Sequence, residues 1–95
     1  MAKGYIIVTY LEAADDTRRS AYGDAASKAL NNTNGKFLVR GYPTEVHENG
    51  CNERVAVVEF PTLQEAINHW HSRGYQEALK LLHPSNRDAR IIEGV

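Results

Sequence analysis

The segment from Arg54 to Pro61, Arg-Val-Ala-Val-Val-Glu-Phe-Pro, constrains the chain more than any other. It reads as a strand, and side chains on a strand alternate between two faces. Val55, Val57 and Glu59 point one way; Arg54, Ala56, Val58 and Phe60 point the other. Both faces are apolar in the middle, the pattern of a strand covered on two sides. One chain of 95 residues supplies one cover easily and a second only with difficulty.

Tyr5 to Leu11 repeats the pattern: Tyr5, Ile7, Thr9 and Leu11 on one face, Ile6, Val8 and Tyr10 on the other. Asp15, Asp16 and Thr17 then offer acceptors and negative charge for a helix N-terminus. Ala21, Tyr22, Ala25, Ala26, Ala29 and Leu30 recur at helical spacing, a stripe of small residues around one bulky Tyr22. Asn31-Asn32-Thr33-Asn34-Gly35 ends that helix. Lys36 to Arg40 reads as a second strand, with Phe37 and Val39 opposite Leu38 and Arg40. Gly41-Tyr42-Pro43 interrupts it, because proline cannot donate to a ladder. Thr44 to His47 is expected to resume as an edge strand before the turn signal Asn49-Gly50, making a hairpin with the strand from Arg54.

Thr62-Leu63-Gln64-Glu65 matches a capping box, and Leu63, Ala66, Ile67 and Trp70 follow at helical spacing. Ser72-Arg73-Gly74 breaks the pattern, and Tyr75, Ala78, Leu79 and Leu82 start it again, as one kinked helix or two short ones. His83-Pro84-Ser85-Asn86 closes it, and Ala89 to Glu93 forms the last strand. The fold class is α+β: a ferredoxin-like βαββαβ chain whose four-stranded antiparallel sheet carries two helices on one face, in one domain spanning residues 1–95. The other sheet face would be bare and apolar in a monomer, which predicts a homodimer with sheets face to face.

Composition excludes several classes of partner. A net charge of −1 gives no case for nucleic acid or an anionic membrane, and no apolar run approaches a membrane span. No signal peptide is read at Met1-Ala2-Lys3-Gly4, and one cysteine, Cys51, cannot form an internal disulfide. A cytoplasmic protein is expected.

In this order and spacing, Gly35-Lys36-Phe37-Leu38-Val39-Arg40-Gly41, Glu45-Val46 before Gly50, Arg54 through Phe60-Pro61, Trp70, Ser72, Tyr75-Gln76 and Glu93-Gly94 resemble the domain of unknown function 1330 family. The resemblance covers nearly the whole chain and implies the dimeric α+β barrel superfamily, whose relatives include cofactor-free monooxygenases, muconolactone isomerases and haem-binding members. The chain departs from the family pattern at Tyr42, where a second glycine is common, and at Leu82-His83, where an arginine is common. A polar site built on that arginine would be altered here.

The candidate ligand-binding residues are Arg40, Glu59, Ser72, Tyr75, Tyr22 and Trp70. Arg40 and Glu59 are charges within apolar strands: the rim of a pocket with Arg40 holding an anionic group, or a structural ion pair reaching solvent. Tyr22, Trp70 and Tyr75 suit a flat aromatic guest, or simple core packing. Ser72 is explained by helix capping. Cys51, beside Glu53, is not expected to be reactive. His69 and His71 are two apart on a helix, not the three or four of a helical metal pair, and His47 and His83 fall in or near loops, so no metal and no cofactor are expected. A haem contact through His69 or His71 is the weaker alternative that the resemblance implies. Two functions follow. One is a dimer that binds a small, partly apolar organic molecule, as an isomerase or a cofactor-independent oxygenase. The other is a non-catalytic dimerisation or ligand-sensing module with a filled interior.

Overall fold

The structure, a computed structural model, describes residues 2–95. Its elements are β1 (Gly4–Tyr10), α1 (Asp16–Asn31), β2 (Lys36–Gly41), β3 (Val55–Phe60), α2 (Leu63–His71), α3 (Arg73–Leu82) and β4 (Arg87–Glu93). The strands form one antiparallel sheet in the order β2-β3-β1-β4, with both crossovers, β1 to β2 and β3 to β4, placing helices on one face. This is the ferredoxin-like α+β arrangement.

Local chemistry sets the boundaries. The Asp15 carboxylate accepts from the Arg18 backbone N–H at 2.9 Å and starts α1. The Glu65 backbone N–H donates to the Thr62 hydroxyl at 3.1 Å, starting α2. The Thr62 hydroxyl in turn donates to the Glu65 carboxylate at 3.2 Å. Ser72 is both the C-cap of α2 and the N-cap of α3, with ψ near 150°, so the second helical segment is two short helices. Its hydroxyl donates to the His69 carbonyl at 2.7 Å and accepts from the Tyr75 N–H at 3.2 Å.

Side chains of β1 alternate between buried and half-buried along its whole length. Ile6, Val8 and Tyr10 join Phe60, Leu30, Ala66 and Leu82 in the core beneath the helices. Phe60 is 0% exposed. A second cluster, Ala26, Tyr75 and Ala78, joins α1 to α3. The small residues let these two helices approach closely: a Cβ on Gly74 would lie 3.4 Å from that of Ala29. The stripe of α1 thus runs along α3, while Leu30 of α1 reaches the sheet core.

Two expectations change. Thr44 to His47 forms no strand; β2 ends at Gly41, and the chain runs through a loop to β3 in which the Gly50 N–H donates to the His47 carbonyl at 2.9 Å. Pro43, without an N–H, fits the early end of β2. Within β2 the ladder slips between Phe37 and Val39, so Leu38 is an extra, bulged residue. That extra residue turns Arg40 to the same face as Phe37, not the opposite one.

Candidate active site

Because α1 follows α3, a gap opens between α1 and the β2–β3 side of the sheet. It is a cavity of about 520 Å³. Its walls include Ile6, Val8, Tyr10, Leu30, Phe37 and Val58, and its polar lining includes Arg40, Arg54, His69, Tyr22, Tyr75 and Arg87. That volume suits a small organic molecule.

At one end the hydroxyls of Tyr22 and Tyr75 meet at 2.8 Å. The Arg87 guanidinium donates to both, Nη1 to Tyr22 at 3.4 Å and Nη2 to Tyr75 at 3.5 Å. It also lies over the rings of Tyr10 and Tyr22, 5.4 and 5.2 Å from their centroids. Residue placement explains the convergence. Arg87 is opposite Tyr10 in the β1–β4 ladder, Tyr22 comes from the α1 stripe and Tyr75 from the first turn of α3.

The electrostatics of this end are one-sided. Burial, with the Tyr75 hydroxyl beside it, pushes the Tyr22 phenol well above its ordinary range, against the pull of Arg87. Tyr22 is thus neutral at pH 7. Burial opposes the Arg87 charge, but the facing tyrosine oxygens outweigh it and hold the guanidinium proton more firmly than usual. Among the described residues no carboxylate forms an ion pair with Arg87, nor with Arg40 or Arg54. A half-buried cation whose near partners are two hydroxyls, with no carboxylate beside it, is left to attract an anion.

His69 packs against the Tyr75 ring. It is 6% exposed and lines the cavity, and its Nδ1 is buried with no hydrogen-bond partner. Its ring packs 5.2 Å from that of Phe60 and 5.1 Å from that of Tyr75, centroid to centroid. Burial lowers its pKa, so the neutral form dominates near pH 7.

The structure divides the residues proposed from sequence. Tyr22, Tyr75 and Arg40 line the cavity; the Arg40 guanidinium lies 4.6 Å over the Phe37 ring. Trp70 stands behind, packed at 5.0 Å on the Tyr75 ring. Ser72 is occupied by its two capping bonds. Glu59 is on the opposite sheet face, where Lys3 at 3.3 Å, Lys36 at 3.6 Å and the Tyr5 hydroxyl at 3.2 Å engage it. It therefore makes neither a pocket rim nor a pair with Arg40, whose register partner is Ala56. The lysines and Tyr5 hold the Glu59 carboxyl below the usual range despite desolvation.

Arg87 was missed, and His69 was weighed only as a metal or haem ligand, not as part of a cavity lining. Arg87 fell outside the strand expected from Ala89, although Arg87, Ala89 and Ile91 alternate in phase on one face. His69 lies three residues after Ala66, a spacing that would have placed it on the buried face. His71 is exposed, and no cluster of three or more potential metal ligands occurs among the described residues.

Fold and cavity together define the class: a ferredoxin-like α+β domain with a cavity between helices and sheet. In sequence, residues 3–95 match the domain of unknown function DUF1330, and the chain belongs to that family. No functionally curated protein matches it. Among solved structures, a protein of unknown function from Rhodopseudomonas palustris is similar, with TM-score 0.69, 16% identity, and coverage of 97% of this chain and 80% of its own. A dimeric ferredoxin-like protein of unknown function from Thermobifida fusca is similar with TM-score 0.64, 14% identity and coverage of 97% and 91%. SnoaB, a cofactor-independent oxygenase from Streptomyces nogalater, is similar with TM-score 0.62, 12% identity and coverage of 96% and 90%. At such identities the likeness is one of fold. No helix among the described residues is long and apolar enough to cross a membrane.

Proposed function

We propose that this protein binds a small, partly apolar organic anion in the cavity between α1, α3 and the sheet, and acts on it as an isomerase or a cofactor-independent oxygenase. The observation that carries the reading is the Arg87 guanidinium, unpaired by any carboxylate among the described residues and held by two tyrosine hydroxyls at one end of the cavity. Arg40 and Arg54 add positive charge to the lining, against Asp24 alone among its acidic side chains. An aromatic or cyclic body fits the walls; a carboxylate or enolate oxygen fits the cations. A module built only to bind its twin has no use for such a chamber.

The reading includes a homodimer formed through the opposite sheet face. Val39 and Ile92 are 49% and 54% exposed there, beside half-buried Ile7 and Val57. The similar protein from Thermobifida fusca is described as dimeric, and the likeness to SnoaB supplies the oxygenase arm of the proposal by analogy of fold.

Calorimetry with 1-naphthoate and its neutral analogue 1-naphthylmethanol tests the site. Wild-type protein is expected to prefer the carboxylate at least tenfold, and Arg87→Met to lose the preference. Failure to bind naphthoate, or equal binding by Arg87→Met, overturns the reading.

A further inference from the structure

We infer that the ligand of this cavity carries two anionic groups, one held by Arg87 and the other by Arg54 and Arg40 across the sheet, so that the substrate class is a cyclic or aromatic dicarboxylic acid. This rests on the anion-binding reading above and specifies what binds there.

The ladder places all three arginines on the helix-facing side of the sheet. Arg87 stands opposite Tyr10 in the β1–β4 pair. On the other flank of Tyr10, the β1–β3 pair runs to Thr9 opposite Val55, and one step further the Tyr10 N–H donates to the Arg54 carbonyl at 2.9 Å. Arg40 is opposite Ala56, two residues along β3 from Arg54. Facing residues and alternate residues share a side of the sheet, and Tyr10 belongs to the core beneath the helices. Arg87 and Arg54 therefore flank Tyr10 at two strand spacings, about 10 Å between their main chains. All three arginines line the cavity.

Aromatic rings then divide the guanidinium groups into two sets. Arg87 lies over Tyr10 and Tyr22, bonded to the hydroxyls of Tyr22 and Tyr75. Arg54 leans the other way, 5.6 Å from the centroid of Tyr42, just beyond the end of β2. Arg40 lies over Phe37 of β2. One cation thus belongs to the β1–β4 side and two to the β2–β3 side. Val8 and Ala56, paired on the two middle strands, line the cavity between them.

Charge balance asks for an anion at each place. Arg19, one turn before Tyr22 on α1, adds a fourth guanidinium to the lining. Asp24 is its one acidic side chain, and among the described residues none of these five groups forms an ion pair within the cavity. A monoanion on Arg87 leaves the β2–β3 cations uncompensated, whereas a dianion spanning the sheet meets both sets. An aromatic face steadies a guanidinium while leaving its N–H edge free, and that edge suits a carboxylate. The apolar floor suits the ring that joins the two acids.

Calorimetry with 1,4-phenylenediacetate and phenylacetate, the same ring with one carboxylate fewer, tests the inference. Wild-type protein is expected to bind the diacid about tenfold more tightly or better, the size of one charge-assisted contact. The double variant Arg40→Met/Arg54→Met should lose that preference. Equal binding of the two acids by wild type, or an undiminished preference in the double variant, overturns the inference and leaves the anion-binding reading standing. No binding of the diacid also overturns the inference, and the naphthoate titration then decides whether the anion-binding reading falls with it. Where the double variant does not fold, salt decides: added NaCl should weaken the diacid more steeply than the monoacid, and equal slopes overturn the assignment.

Discussion

The hydroxyls of Tyr22 and Tyr75, 53 residues apart in sequence, lie 2.8 Å from one another within reach of one guanidinium. The pair joins α1 to α3 and defines the polar end of the cavity, so the same contact serves stability and recognition. Tyr22→Phe and Tyr75→Phe should each cost about 0.5–1.5 kcal/mol in urea unfolding. The double variant should cost less than the sum, because either single change already removes the shared bond. Additive losses would mean that the two hydroxyls act independently.

The buried phenol also titrates late. Because burial raises the Tyr22 pKa above a tyrosine's ordinary value of about 10, the folded state holds this proton after the unfolded chain has released it. Its contribution is fully present below pH 10 and declines as pH rises above that. Absorbance titration should show a tyrosine that ionises above the ordinary range, and Tyr22→Phe should remove it.

His69 gives the opposite dependence at the acid end. Its pKa is depressed, so the unfolded chain protonates first and stability falls as pH drops below about 6.5 and through the folded value. The imidazole resonances should titrate below the ordinary midpoint, and His69→Gln should flatten the slope of urea midpoint against pH in that window. An ordinary midpoint for His69 would contradict its burial in solution.

Much of this fold was legible because it depends on local signals. The Thr62 capping box, the Asp15 cap and the period-two pattern of β1 are decided within a few residues, and each forms close to where it was expected. The site was less legible because it depends on register. One bulged residue, Leu38, decides which face Arg40 occupies, and no turn residue announces it. Arg87 matters through its ladder position opposite Tyr10, which sequence spacing does not carry. Glu59 looked like a site residue because a charge in an apolar strand needs a partner. Its partners come from Lys3 and Lys36, on the other face.

Gly4 is fixed by backbone proximity. A Cβ there would stand 2.7 Å from the Thr62 carbonyl oxygen and 2.9 Å from the Leu63 nitrogen. Main chain at the start of α2 cannot step aside as a flexible side chain would. Gly4→Ala should therefore destabilise the protein by about 1–3 kcal/mol, read as a lower urea midpoint with unchanged slope. Gly23→Ala, which meets no atom within 4 Å, serves as the control and should be neutral or slightly stabilising.

Val57 tests the outer face of the sheet. It pairs with Ile7 in the β1–β3 ladder, and both point away from the helices toward a surface shared with Val39 and Ile92. In a monomer, a glutamate at this position projects into water and the fold loses little. In a sheet-to-sheet dimer, it forces a charge into an apolar contact, which is costly without a partner. Val57→Glu should therefore keep its circular dichroism spectrum while sedimentation equilibrium changes from twice the chain mass of 10.6 kDa to that mass itself. A variant that remains dimeric would move the interface elsewhere on the molecule. A monomeric wild type would remove the reason for two apolar faces on β3, and the half-buried state of Val57 would then need another cover.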